Sequence, residues 1–120
     1  MTQNKNPATR KELSPLALDL IAARFRALSE PMRLRLLNHL MDGERTVGQL
    51  VEASGSGQAN VSKHLSVLRE AGMVGTRKQG LMTVCYIADP IVNELCEMMC
   101  SRLREEMEGK AAALAFKPES

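Results

Sequence analysis

Aromatic residues are almost missing from this 120-residue chain, which has two Phe, one Tyr and no Trp. A core without large rings must be assembled from Leu, Ile, Val, Ala and the eight Met, a set that suits helix packing better than a broad sheet. No run approaches the roughly 18 to 20 apolar residues of a membrane-spanning helix, and the polar opening MTQNKNPATRKELSP lacks the apolar centre of a secretion signal. The chain is therefore expected in the cytoplasm, with no membrane partner. Histidine is confined to His39 and His64. With no Gly-rich phosphate loop, no CxxC pair and no Ser-His-acid pattern, no catalytic set presents itself and an enzyme is not expected. Cysteine is limited to Cys85, Cys96 and Cys100, an odd count that argues against a secreted disulfide framework and for reduced thiols.

What is present is enough for one modest core. Hydrophobic residues make up 44% and charged residues 25%, consistent with a single, mainly α domain. Residues 1–13 read as a flexible N-terminus, 14–108 as the folded domain and 109–120 as a C-terminal tail. The formal net charge of +2 conceals an uneven distribution. Between residues 54 and 80 stand Lys63, Arg69, Arg77 and Lys78 against Glu70 alone, whereas residues 89–120 carry seven acids against four bases. A polyanion would meet the middle of the chain.

Periodicity supplies the elements. Ser14-Pro15 starts an amphipathic helix, PLALDLIAARFRALSE, because Pro is tolerated in a first turn. Pro31 opens a second, PMRLRLLNHLMDG, with an apolar face of Leu34, Leu36, Leu37, Leu40 and Met41 ended by Gly43. Thr46 starts the short helix TVGQLVEASG, interrupted at Gly55 and Gly57. In the next helix Val61, Leu65 and Leu68 share one side while Ala59, Asn60, Ser62, Lys63 and Ser66 point away, and Gly72 closes it. MVGTRKQGLMTVCYIA reads as a hairpin with RKQG as a basic tip, and Asp89-Pro90 opens a last helix, PIVNELCEMMCSRLREEMEGKAAALA, with Val92, Cys96, Met99, Leu103 and Met107 at helical spacing.

Two short helices, a Gly-containing turn and a β-hairpin make a winged helix-turn-helix of about five helices plus a wing. Such a fold inserts its second helix in the DNA major groove. Gln58 and Asn60 can make paired hydrogen bonds to adenine edges, Ser62 and Lys63 can reach bases or phosphates, and Arg77 and Lys78 would neutralise phosphates at the wing. His64 sits beside the buried side, so packing, phosphate contact and base reading all remain open to it. The plain alternatives are a solvated polar surface, or a winged helix used for protein contacts.

RFRALSEPMRLRLLNHL followed by VSKHLSVLREAGMV closely resembles the ArsR/SmtB family of small bacterial winged-helix repressors, over roughly Leu16 to Arg104. The resemblance implies a homodimer joined through its first and last helices, a recognition helix from about Gly57 to Ala71, and Gln58, Asn60, Ser62, Lys63 and His64 in the DNA-contacting segment. It also implies release from an inverted-repeat operator in double-stranded DNA when an effector binds. The last helix agrees independently: its apolar stripe extends past what one small domain covers, and a twin helix would bury the excess.

The family's familiar effector sites are not carried over. Arsenic-sensing members place CxC in the helix before the turn, where this chain has TVGQLVEASGSG; zinc-sensing members use Asp and His along the last helix, which here has no His. What remains is Cys96 and Cys100, one helical turn apart and able to share a thiophilic ion such as As(III) or Sb(III), with Cys85 as a third sulfur where the family usually has an aromatic. No obligatory cofactor is expected. A thiol-oxidation or reactive-sulfur switch competes for the same pair, though an unstrained disulfide four residues apart in a helix is awkward. The third reading is packing alone, with Cys as a small hydrophobe.

Overall fold

The computed structural model describes residues 12–115. Helix α1 (Pro15–Leu28) leads into α2 (Pro31–Leu40), then strand β1 (Arg45–Thr46), α3 (Val47–Ser54), α4 (Gln58–Glu70), strands β2 (Val74–Gln79) and β3 (Met82–Ile87), and α5 (Ile91–Ala115). The expected winged helix-turn-helix, mainly α with a small hairpin, is the observed architecture.

Local chemistry accounts for the helix starts. Ser14 Oγ accepts from the Ala17 amide at 3.1 Å, and Glu30 Oε1 accepts from the Met32 and Arg33 amides at 2.7 and 3.2 Å. Thr46 and Gln49 cap each other reciprocally at the start of α3. Pro15 and Pro31 sit where a missing amide N–H costs nothing.

The core lies between α2, α3, α4 and the sheet. Leu36, Leu37, Leu50, Val61, Leu68, Met73, Cys85 and Val92 are fully buried. A large aliphatic side chain so placed contributes about 1.5–3 kcal/mol relative to exposure. Of the apolar face read in α2, Leu36, Leu37 and Leu40 are buried, whereas Leu34 lies at its edge, 41% exposed. Val92 anchors the start of α5, with Cys96 packed against the same core.

The sheet holds one strand more than the expected hairpin. β1 pairs antiparallel with β3, placing β3 in the centre of the order β1-β3-β2. Two residues between a turn and a helix cap carry no alternating pattern, so periodicity could not find them. The hairpin tip also shifts: Gln79 pairs with Met82, so Gly80 and Leu81 make the turn, and Arg77 and Lys78 lie within β2 instead of at the tip. Gly80 takes φ 63°, the left-handed conformation a two-residue hairpin turn demands.

The last helix ends at Ala115, as PIVNELCEMMCSRLREEMEGKAAALA suggests, so it takes in residues 109–115 of the segment read as a C-terminal tail. A helix has no reason to stop at Gly109 when GKAAALA continues with good helix formers. The rest of that tail, residues 116–120, and residues 1–11 of the expected flexible N-terminus lie outside the described residues. No described helix is long and apolar enough to cross a membrane.

Gly75 faces Tyr86 across the hairpin, and a Cβ at Gly75 would come within 2.5 Å of the Tyr86 ring. Gly75→Ala is therefore expected to destabilise the fold by about 1–3 kcal/mol in urea unfolding, and adding Tyr86→Ser should recover part of that loss. An unchanged midpoint in Gly75→Ala would mean that the ring moves aside freely.

Candidate nucleic-acid interface and thiol pair

Helix α4 is held along one side and bare along the other. Val61, His64, Leu65 and Leu68 are buried, while Gln58, Asn60, Ser62, Lys63, Ser66 and Arg69 are exposed. The 3.6-residue period explains the split, since 61, 64, 65 and 68 recur at three and four. It also corrects the placement of His64. Its side chain is turned into the protein, with Nδ1 3.1 Å from the Arg33 guanidinium and Nε2 4.0 Å from Glu30 Oε1, and is absent from the outer face.

A groove of about 650 Å³ runs between α4 and the wing. Gln58, Ser62, Ser66 and Arg69 line its helix side, while Thr76, Lys78 and Thr83 line the strand side. Alternation in β2 puts Lys78 on the face toward α4 and Arg77 on the other. Lys78 Nζ donates to Thr83 Oγ1 at 3.1 Å. Arg77 instead donates to Glu44 Oε1 at 2.7 Å, a pair that holds the Glu44 carboxyl below its usual range and raises the Arg77 guanidinium. The two wing cations expected to act alike are therefore placed differently. Arg69 was missed as a site residue in the sequence, although its spacing from Ser62 and Ser66 aligns it with the groove. Asn60 Nδ2 donates to Ser56 Oγ at 2.8 Å, which leaves Oδ1 uncommitted, and no side chain caps the start of α4.

The three cysteines do not meet. Cys85 is fully buried in the central strand, paired with Thr76 on one side and Arg45 on the other. Cys96 is half-buried at the base of α5 and Cys100 is exposed one turn on. No group of three or more potential metal-ligating side chains forms among the described residues, so the three-sulfur site expected from Cys85, Cys96 and Cys100 is not assembled within one chain. Cys85 falls on a buried position of the central strand, and nothing in local spacing reveals its distance from α5. Burial pushes the Cys85 thiol up, partly offset by Arg69. It also pushes up Cys96, and Cys100 adds to that effect. Arg104 donates to Cys100 Sγ at 3.4 Å.

Residues 30–76, from the cap of α2 into β2, match the model of the bacterial regulatory protein, arsR family. The chain is 43% identical over 77 residues to a probable mercury resistance operon repressor of Streptomyces lividans, a match covering 64% of this chain and 62% of that one. It is 33% identical over 110 residues to a biofilm growth-associated repressor of Xylella fastidiosa, covering 88% of this chain and 96% of the relative. The chain belongs to the arsR family. Its fold agrees with the homodimeric winged helix-turn-helix DNA-binding domain of a possible ArsR-family regulator from Mycobacterium bovis, at TM-score 0.73 and 27% identity over 91% of this chain and 95% of that one. As a family member it is a DNA-binding transcriptional regulator and not an enzyme. It spans less than two thirds of the Streptomyces repressor's length.

Thiol placement predicts an order of reaction. With iodoacetamide in native buffer, Cys100 is expected to be alkylated first, Cys96 more slowly, and Cys85 only after unfolding, as read by peptide mass mapping. Native labelling of Cys85 ahead of Cys96 would contradict its burial.

Proposed function

We propose that the chain is a homodimeric repressor that reads an inverted repeat with α4 and leaves it when Cys96 and Cys100 take up a thiophilic ion. The observation that carries the DNA half is the open groove with Gln58, Ser62, Ser66 and Arg69 facing Lys78. Its polar rim and two flanking cations suit a DNA strand: phosphates meet Lys78 and Arg69, while Asn60, Ser62 and Lys63 reach base edges beyond it. Arg77 serves the wing by bracing it against Glu44, and its phosphate contact requires exchange of that partner. His64 supports α4 from behind.

The dimer half rests on apolar surface that one chain leaves uncovered. Leu16, Leu18, Leu20 and Phe25 on α1, with Met99, Leu103 and Met107 on α5, are all close to half exposed or more. The radius of gyration of 19.4 Å exceeds the value of about 13 Å for a compact domain of 100 residues, because both terminal helices extend from the core. A second copy placed on α1 and α5 buries those side chains and sets two α4 helices about 34 Å apart, one DNA turn.

For the effector, Cys96 and Cys100 supply two soft sulfurs on one helix face. Two thiolates suit a linear ion such as Hg(II) within one chain; As(III) and Sb(III), which favour three, need a further donor from the partner subunit. Because burial keeps the Cys96 thiol protonated, ion uptake releases a proton and its affinity rises with pH. A second reading is favoured by Arg104 at Cys100: a peroxide would oxidise this thiol to a sulfenic acid with release of water, and the Arg104 N–H would then bond the new oxygen.

Fluorescence anisotropy on duplexes from the chain's own promoter tests these assignments. Lys78→Ala is expected to weaken binding on all sequences and to flatten the log K against log salt slope by about 1. Asn60→Ala should lower the preference for operator over random DNA by about 1–3 kcal/mol. Retained discrimination in Asn60→Ala would displace the reading face. Release of the wild type by about one equivalent of Hg(II) or As(III), absent in Cys96→Ser, is the result expected of the thiol pair. Release by peroxide alone, absent in Cys100→Ser, would instead select the oxidation reading.

A further inference from the structure

The seat of α4 is mostly apolar, and the packing of Val61, Leu65 and Leu68 there is non-directional. Among the described residues, the one part-buried hydrogen bond to a side chain of α4 is of another kind. Arg33 of α2 places its Nη1 3.1 Å from His64 Nδ1. The same guanidinium donates through Nε to the Ala27 carbonyl at 2.7 Å and through Nη2 to the Arg26 carbonyl at 3.2 Å. Those carbonyls lie in the last turn of α1, where the helix dipole favours a cation, and the Arg26 carbonyl also accepts from the Ser29 amide and hydroxyl at 3.1 and 2.9 Å. Glu30 completes the arrangement: its Oε1 fixes the Arg33 backbone by accepting from that residue's amide at 3.2 Å, and faces His64 Nε2 at 4.0 Å.

The chemistry sets the tautomer. A guanidinium has donors and no acceptor, so Nδ1 must present its lone pair and the proton sits on Nε2, toward Glu30. From this geometry we infer that Arg33 and His64 are positioning residues for DNA reading, a directional latch that ties the register of α4 to the C-terminal end of α1. The inference rests on the proposed function, in which α1 joins the two subunits and α4 enters the groove. Through the latch, the angle at which α1 leaves the dimer interface is passed to the helix that carries Asn60, so the two reading helices keep a fixed mutual spacing. Sequence-independent attraction to phosphates does not need the latch, because it depends on charge and not on register.

The test compares operator and random duplexes for His64→Leu, His64→Gln and Arg33→Lys. His64→Leu fills the same space without an acceptor, and Arg33→Lys keeps the charge without the fork. Each is expected to remain dimeric, to keep its affinity for random DNA, and to lose operator affinity by about tenfold, the worth of one hydrogen bond to a charged group. His64→Gln, which offers an acceptor oxygen, should recover part of that loss, and the Arg33→Lys/His64→Leu double variant should be no worse than either single one. Full operator preference in His64→Leu would overturn the inference, as would additive losses in the double variant. The wild type provides a check independent of any variant's folding: ¹⁵N shifts of His64 should show a protonated Nε2 and an unprotonated Nδ1, and the opposite tautomer would overturn the latch. A wild type that binds operator and random DNA equally would instead defeat the proposed function on which it rests.

Discussion

Everything in this chain depends on one helix being gripped along half of its circumference. Thirteen residues, Gln58–Glu70, must hold the core with Val61, His64, Leu65 and Leu68 and leave the other half free of contacts. The helical repeat of 3.6 makes the division possible, and the buried half decides how firmly it is kept. Leu50, Leu36, Leu37 and Met73 form the apolar bed, and the wing closes the far side without covering the outer face. Both the groove beside Lys78 and the exposure of Asn60 and Lys63 follow from that partial grip.

The same economy leaves the terminal helices short of partners. α1 buries only Ala27, and α5 is anchored chiefly at Val92 and Cys96 before running outward to Ala115 for about 28 Å at 1.5 Å per residue. The second subunit proposed above would cover this apolar surface. The thiol pair lies where this outward run begins. In the proposed dimer, an ion or an oxygen added at Cys96 and Cys100 would act beside the surface where the subunits meet and would alter DNA binding through subunit geometry.

Most of the architecture was legible in the residues. The starts at Ser14-Pro15, Pro31 and Thr46, the inward set Val61, Leu65 and Leu68, and the closing Gly72 are local signals, and local chemistry enforces them. His64 was legible too, since three after Val61 and four before Leu68 is a buried position. The identity of a His, which suits a DNA contact, obscured what its spacing states. Other features were beyond local reading. β1 exists only because β3 is there to pair with it, and Arg77 meets Glu44 across 33 positions. The separation of Cys85 from the α5 thiols is likewise a property of the assembled sheet and core, which spacing along the chain does not encode.

The central claim is that two copies of α4 read one face of a duplex together. Hydroxyl-radical footprinting of the wild-type protein on its own promoter addresses it most directly. Two protected half-sites related by an inverted repeat, with centres about one helical turn apart and lying on the same face of the DNA, are predicted. Protection of a single half-site, or uniform weak protection along the fragment at low salt, would contradict the account.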